Sequence, residues 1–279
     1  MRIDAHQHFW RLARGDYGWL TPSLAPIYRD FLPADLAPLL AAVRIERTIL
    51  VQAAPTLAET DFLLALAEQT PWVAGVVGWV DLADARAADR IAALAGSPLL
   101  VGLRPMVQDI ADDDWLARME LAPAFEALIA HDLVFDALVL PRHLARLQVV
   151  LGRHPRLAVV VDHAAKPDIA HRCYDRWRAD LAAVAAHPTT TCKLSGLVTE
   201  AGSGWTVAAL RPVADHVLQC FGPARVLWGS DWPVVTLAAG YRSWFDAAVE
   251  LTAHLDAAQR AAVFGGNARR VYLTTRGRR

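Results

Sequence analysis

Residues 157–167, "LAVVVDHAAKP", form a continuous apolar run that ends in an aspartate, a histidine and a lysine. Such a run is typical of a strand buried on both faces of a parallel sheet, whereas a half-exposed strand alternates apolar and polar residues. The chain contains seven further short runs of this kind, which begin at Arg2, Arg47, Trp72, Leu100, Leu133, Thr190 and Arg225. The sequence therefore contains eight strand candidates.

Stretches with apolar residues at helical intervals lie between these candidates, such as "ADLAPLLAAVR" from Ala34 and "PRHLARLQVVLGRH" from Pro141. Eight strands that alternate with helices predict an α/β fold, a (β/α)8 TIM barrel that occupies residues 1–279 as a single domain. Neither GxGxxG after the first strand nor GxxxxGK[ST] is present, so a nucleotide-binding sheet is not expected. Two helical segments, 241–254 and 256–264, and a frayed basic tail, 276–279, are expected after the eighth strand.

One long connection, residues 11–33, separates the first strand from its helix and is rich in Trp, Tyr and Pro. Connections of this length in compact domains are usually functional. We therefore predict that residues 11–33 form a lid-like loop.

The composition indicates a globular protein whose partner is a small molecule. Hydrophobic residues make up 54% of the chain, and 28 basic side chains nearly balance 29 acidic ones without runs of one sign. This balance favours neither nucleic acid nor an anionic membrane as a partner. The sequence shows neither a membrane-spanning run nor a signal-peptide pattern, so a cytoplasmic location is expected. Cys173, Cys192 and Cys220 form no CxxC pair and are expected to be reduced thiols.

Polar or aromatic side chains follow the predicted strands at the end where barrel active sites lie. In chain order they are His6, His8, Gln52, Trp79, Asp81, Arg104, Asp162, His163, Lys166, Lys193, Ser195, Asp231 and Trp232. Both lysines of the chain are in this set, and all other basic residues are arginines.

His6 and His8 are the most informative members of this set. Because side chains repeat every two residues along a strand, both imidazoles are expected to point into the barrel. A lone interior histidine is more often a core residue. Here two histidines lie in register on one strand, and His163 and Asp231 converge on them from the sixth and eighth strands. This combination favours a functional site.

These residues lie in motifs that resemble the amidohydrolase superfamily. The motifs are "DAHQHFW" (4–10), "VDHAAKP" (161–167), "KLSGL" (193–197), "WGSDWPV" (228–234) and the closing "GNARRVY" (266–272). The resemblance covers essentially the whole chain and points to the branch that contains sugar-lactone and aromatic-lactone hydrolases.

The resemblance implies hydrolysis of a small lactone, with Asp231 as the base that takes a proton from the attacking water. His6, His8 and His163 would polarise the carbonyl group or, with Asp231, hold one zinc ion. Many metal-dependent relatives carry a lysine on the fourth strand and a histidine on the fifth, where this chain has Arg104 and Asp136, so a two-metal centre is not expected. A carboxylate base supplies roughly 10²–10⁴-fold and one oxyanion donor about 10²–10³-fold, so zinc is optional for this chemistry.

The remaining residues suit recognition of a neutral polyhydroxylated lactone. Gln52, Arg104, Lys166, Lys193 and Ser195 offer hydrogen-bonding groups for hydroxyls, and Trp10, Trp79 and Trp232 offer flat faces for a sugar ring. Asp162 is expected to orient a neighbouring side chain, and Asp4 to serve the structure.

Two alternatives remain open. A decarboxylase of aromatic or muconate-type acids would use the same histidines with an obligatory metal. A barrel that binds a sugar acid without turnover would gain little from the carboxylate of Asp231 beside three imidazoles.

Overall fold

The computed structural model describes residues 1–274, and the predicted tail 276–279 lies outside them. All eight predicted strands are present, each shorter than its apolar run. They are β1 (Ile3–Gln7), β2 (Arg47–Val51), β3 (Val73–Gly78), β4 (Leu100–Leu103), β5 (Val134–Ala137), β6 (Val159–Val161), β7 (Thr190–Leu194) and β8 (Val226–Trp228). The strands form one sheet in chain order, and every pair is parallel.

The sheet closes between its first and last strands. Gln7 forms a parallel bridge with Trp232, and the backbone N–H of His8 donates to the carbonyl of Trp232 at 2.7 Å. The N–H of Asp231 donates to the carbonyl of His6 at 2.8 Å. The predicted TIM barrel is confirmed, and the two hydrogen bonds that close it join predicted site residues directly, His8 to Trp232 and Asp231 to His6.

Helices surround the sheet at the predicted places. They are α1 (Pro33–Val43), α2 (Leu57–Glu68), α3 (Ala87–Leu94), α4 (Ala122–Ala130), α5 (Leu144–Arg153), α6 (Asp175–Ala185), α7 (Leu197–Ala201), α8 (Val207–Phe221), α9 (Tyr241–Leu251) and α10 (Ala257–Ala261). The short α7 was not predicted. No helix within residues 1–274 is long and apolar enough to cross a membrane.

The barrel interior has its own apolar core, separate from the larger one between strands and helices. Most strands contribute one or two residues to this core, and the terminal segment contributes Ala268 and Tyr272. The strand residues are Ile3, Ala5, Ile49, Val51, Val77, Val101, Val134, Val160 and Leu227. The terminal segment continues α10 through π-helical turns at Ala262–Gly266 and Arg269–Leu273. Tyr272 thus fills the end of the barrel opposite the polar strand ends.

The connection from residue 11 to residue 33 contains short 3₁₀ turns at Leu12–Arg14 and Pro22–Leu24. Side chains fasten it to the barrel: the Tyr17 hydroxyl donates to Glu59 Oε2 at 2.7 Å, and Trp19 Nε1 donates to the carbonyl of Ala53 at 2.7 Å. That this segment acts as a lid stays a prediction.

None of the three cysteines forms a disulfide within the described part of the chain.

Candidate active site

An irregularity in β1 turns its histidines inward. Ile3 and Ala5 belong to the interior core, so strict alternation would send His6 to the outer face. The pairing register of β1 with β2 shifts between Asp4 and Gln7, and a bulge of this kind re-aims the side chains that come after it. His6 and His8 therefore both face the barrel interior.

Four side chains converge above this bulge. His6 Nε2 lies 3.2 Å from His8 Nε2, and His8 Nε2 lies 3.3 Å from Asp231 Oδ1. Asp231 Oδ1 is also 3.7 Å from His6 Nε2 and 3.8 Å from His163 Nε2. All four residues are buried. The predicted catalytic residues from β1, β6 and β8 thus meet at one mouth.

His163 is placed by an unusual turn after β6. The four residues from His163 to Lys166 all have positive φ angles, between 51° and 60°. Non-glycine residues rarely adopt this left-handed conformation, and such strain concentrates at functional sites. Gly196, after β7, allows the turn to come close, because a Cβ there would lie 2.7 Å from the His163 ring.

A second layer of charged groups lies beneath the imidazoles and is fully buried. Lys193 Nζ contacts Asp136 Oδ2 at 2.5 Å, Asp162 Oδ1 at 2.9 Å and His6 Nδ1 at 3.1 Å. The Tyr272 hydroxyl donates to Asp136 at 2.7 Å. Burial without partners would be costly for each charge, and the pairing of opposite charges offsets that cost.

Arg104 joins the two layers. Its Nη1 lies 3.3 Å from His6 Nε2 and 3.4 Å from Asp162 Oδ2, and its Nη2 donates to the carbonyl of Gln52. Arg104 Nε has no hydrogen-bond partner within residues 1–274 although the side chain is buried. This guanidinium has a donor left over, and it lies on the wall of the cavity beside the imidazoles.

The electrostatics keep the imidazoles neutral and Asp231 ionised. Burial lowers the pKa of His163 to about 4, although the nearby Asp231 opposes this. Burial, assisted by the charge of Lys193, also lowers the pKa of His6, and burial lowers that of His8. For Asp231, burial acts to raise the pKa, but the nearby imidazoles, His163 foremost, outweigh it, so the pKa lies well below its usual range.

His8, His163 and Asp231 line a cavity of about 240 Å³, and His6 lies buried behind its wall. His8, Arg104, His163, Lys166 and Asp231 contribute to its wall. A larger cavity of about 620 Å³ adjoins it and shares three of its wall residues, Trp19, Met106 and Asp109. The predicted Trp79 lies on the larger cavity, not on the smaller one.

Five of the residues predicted to recognise the substrate lie on neither cavity wall. One of them, Ser195, is buried behind the His163 ring, 2.8 Å from its Nδ1. Lys193 is bound to Asp136 and Asp162 beneath His6. Gln52 is buried and donates to the carbonyl of Arg104, so it holds the cavity wall from behind.

The other two corrections concern aromatic rings. Trp10 and Trp232 are buried in an aromatic cluster around Phe31, with ring centroids 5.5 Å and 5.2 Å from it. Trp19, which was not predicted as a site residue, supplies a half-buried ring on both cavities. The feature of the sequence that could have indicated Trp19 is the aromatic content of residues 11–33.

Comparison with known proteins identifies the family. The model of the family described as "Amidohydrolase" matches residues 3–273. The chain belongs to the amidohydrolase family. An L-fucono-1,5-lactonase of Burkholderia ambifaria is 48% identical to this amidohydrolase, with 99% of this chain and 96% of the relative covered. An L-fucono-1,5-lactonase of Burkholderia multivorans is 42% identical, with 98% and 96% covered.

A solved structure agrees with this assignment. The crystal structure of an amidohydrolase from Burkholderia multivorans with bound zinc superposes with a TM-score of 0.92, at 41% identity, and covers 98% of this chain and 99% of that one. In the present chain, three residues could bind such an ion, and their ligand atoms all lie within 4.8 Å of one another: His6, His163 and Asp231. Neutral imidazoles and a carboxylate are donors that zinc accepts, so the residues present fit one such ion.

Proposed function

We propose that this amidohydrolase opens the ring of a small, neutral sugar lactone, of the class to which L-fucono-1,5-lactone belongs. The observation that carries the proposal is the convergence of His6, His8, His163 and Asp231, three of which line one cavity. The similarity over nearly the full length to two L-fucono-1,5-lactonases supports the choice of a lactone.

Asp231 is the proposed base. It takes a proton from a water molecule as the water oxygen forms a bond to the carbonyl carbon of the lactone. The tetrahedral oxyanion then collapses, the bond from that carbon to the ring oxygen breaks, and the ring oxygen receives the proton from Asp231. Because the pKa of Asp231 is low, the carboxylate is ionised before each turnover.

Arg104 and the imidazoles are the proposed stabilisers of the oxyanion. The guanidinium carries a buried, unpartnered donor and lies beside His6. A fixed donor in a site that excludes water stabilises developing negative charge more strongly than one in water, typically by a factor of about 10²–10³ in rate. Together with the base and with positioning, such donors reach the lower range of enzymatic rate enhancements, about 10⁶-fold.

The cavity favours a neutral substrate of about the size of one sugar ring. Its volume is about 240 Å³, and its charged groups include the cations Arg104 and Lys166 and the anion Asp231. Lys166 lies 3.7 Å from Glu200, which partly neutralises it. Trp19 supplies the apolar face, and Lys166 supplies donors for hydroxyls.

A zinc ion at His6, His163 and Asp231 would supply Lewis-acid polarisation and a water of lowered pKa. Arg104 is not among these ligands, so its donor for the carbonyl oxygen is present with or without zinc.

The decarboxylase alternative requires a firmly held metal. The ammonium of Lys193, 3.1 Å from His6 Nδ1, opposes tight binding of a cation at His6. A barrel that only binds its ligand gives no functional reason for the buried, ionised carboxylate of Asp231. Both are therefore less well supported than lactone hydrolysis.

A panel of aldono-1,4- and 1,5-lactones, assayed by acid release with a pH indicator, tests the proposal. We expect turnover of at least one 1,5-lactone both before and after treatment with a chelator. Complete loss of activity on chelation, restored by zinc, would refute the metal-optional mechanism.

A further inference from the structure

The three imidazoles differ in what they contact on the side away from the cavity. His8 Nδ1 donates to the carbonyl of Val51 at 2.8 Å. His163 Nδ1 lies 2.8 Å from the Ser195 hydroxyl, which can accept from it. These are the partners that metal-bound histidines usually have, because a proton on Nδ1 leaves the lone pair on Nε2. His6 Nδ1 instead faces the ammonium of Lys193 at 3.1 Å.

An ammonium has three N–H donors and no acceptor. Lys193 Nζ lies within 3.1 Å of three acceptors, Asp136 Oδ2, Asp162 Oδ1 and His6 Nδ1. Hydrogen bonds join it to Asp136 Oδ2 and to His6 Nδ1, whereas Asp162 Oδ1 is an ion-pair partner that has no hydrogen bond within residues 1–274. Because the ammonium donates to His6 Nδ1, that nitrogen carries the lone pair. A neutral imidazole has one N–H, and for His6 it must then lie on Nε2.

Of the two nearest polar neighbours of His6 Nε2, His8 Nε2 agrees with this placement of the proton, and Arg104 Nη1, which can only donate, must direct its N–H elsewhere. His8 Nε2, 3.2 Å away, is an acceptor because the His8 proton is on Nδ1. A continuous series of donors therefore runs from Lys193 through His6 and His8 to the carbonyl of Val51. Arg104 Nη1, 3.3 Å from His6 Nε2, then has Asp162 as its acceptor.

We propose that Lys193 is a positioning residue that holds His6 in the Nε2–H tautomer, so that His6 donates through Nε2 to His8 and is a weak ligand for zinc. The catalytic consequence rests on the proposed function: this hydrogen bond from His6 holds the ring of His8, which lines the cavity beside Arg104. The consequence for zinc does not depend on the substrate.

If the ammonium of Lys193 were removed, the nearest polar partner of His6 Nδ1 would be a carboxylate instead of a cation. Asp162 Oδ1 lies 3.4 Å from His6 Nδ1 and is the acceptor that remains on that side. A proton on Nδ1 can then be donated to this carboxylate, which leaves the lone pair on Nε2. Loss of Lys193 should therefore weaken metal-free catalysis and strengthen zinc binding, two effects of opposite sign that simple damage to the fold does not produce.

The tautomer can be measured in the unaltered protein. We expect nitrogen NMR of histidine-labelled, metal-free protein to show His6 protonated on Nε2 and His8 protonated on Nδ1, with each signal assigned by its loss in a single His→Gln variant. A His6 signal protonated on Nδ1 would overturn the proposal; the spectrum is recorded on the unaltered protein, and only the assignment of the signals uses variants.

The second test is the double variant Lys193→Met/Asp136→Asn, which removes the cation together with the carboxylate closest to it. We expect the zinc affinity, measured by competition with a chromogenic chelator, to rise at least tenfold, and metal-free kcat to fall at least tenfold. Lys166→Met, the same change at the chain's other lysine, is the matched control and should change zinc affinity less than threefold.

A folded double variant, as judged by circular dichroism and thermal melting, with unchanged or weaker zinc affinity would contradict the proposal. Absence of lactone turnover in the unaltered protein would refute the proposed function alone, because neither the tautomer nor the zinc affinity needs a substrate.

Discussion

Gly196 offers a sharp test of how closely the His163 turn is packed. A Cβ at Gly196 would lie 2.7 Å from Cγ and Nδ1 of His163 and 2.9 Å from its Cβ, whereas ordinary contact begins at 3.4 Å. In the Gly196→Ala variant the ring must therefore move by about 0.7 Å, away from the Ser195 hydroxyl that it contacts at 2.8 Å. A displacement of about 1 Å in a reacting group costs roughly 10²-fold in rate.

The backbone contribution can be separated with a matched control. Gly196 has φ 68° and ψ −4°, and Gly15 has φ 72° and ψ 4°, but a Cβ at Gly15 meets nothing within 4 Å. Alanine in this left-handed region costs roughly 1–2 kcal/mol at either position. We expect both variants to lose similar backbone stability, but only Gly196→Ala to lose kcat/KM, by about 10²-fold.

Thermal melting and the lactone assay measure the two effects in the same preparations. A folded Gly196→Ala variant with near-native kcat/KM would refute the packing argument. Equal losses of activity in both variants would show that backbone strain is responsible instead of the His163 contact.

Three further predictions concern acid, a buried carboxyl group and the tryptophan on the cavity. The kcat/KM value should stay flat from about pH 6 to 8 and fall as the pH drops through about 4, where His163 becomes protonated beside Asp231; an acid limb near 6.5 would contradict the burial effect. Burial raises the pKa of Glu59 from 4.5 to about 7, so ionisation of this carboxyl group opposes folding by up to about 3 kcal/mol above pH 7. In denaturant titrations, Glu59→Gln should therefore raise the free energy of unfolding by up to that amount at pH 8. At pH 5 the same variant should raise it by less than about 1 kcal/mol. An equal effect at both pH values would exclude the linkage. Trp19→Ala should raise KM roughly tenfold with a smaller change in kcat, whereas Trp72→Ala, at the start of β3, should leave KM unchanged.

The fold could be predicted because its signal is local. Each strand is a short segment of three to six residues within a longer apolar run, and a continuous run such as "LAVVV" is typical of a strand buried on both faces. The order of strands in a barrel then results from right-handed crossovers between neighbours. The polar residues at the strand ends, His6 and Asp231 among them, could be assigned to one mouth for the same reason.

The details of the site depend on features that a strand pattern does not carry. The register shift in β1 decides that His6 faces inward, and it is visible only in the pairing with β2. The left-handed turn from His163 to Lys166 depends on the space left by Gly196.

The role of Lys193 was misjudged because depth along a strand cannot be predicted from composition. Lys193 lies within β7, one layer below Ser195, and the carboxylates of Asp136 and Asp162 that bind it come from two other strands. Trp19 was missed because it lies outside the strands, in an irregular segment. The path of that segment is set by contacts such as the hydrogen bond from the Trp19 indole to the carbonyl of Ala53.

The central claim is that Asp231 removes a proton from water during lactone hydrolysis, and Asp231→Asn tests it most directly. Asn suits the left-handed backbone at this position, where φ is 58°, so the fold should be retained. With L-fucono-1,5-lactone, or with whichever lactone of the panel is turned over fastest, we expect kcat to fall at least ~10²-fold at an unchanged melting temperature. A near-native kcat in the folded variant would contradict the account.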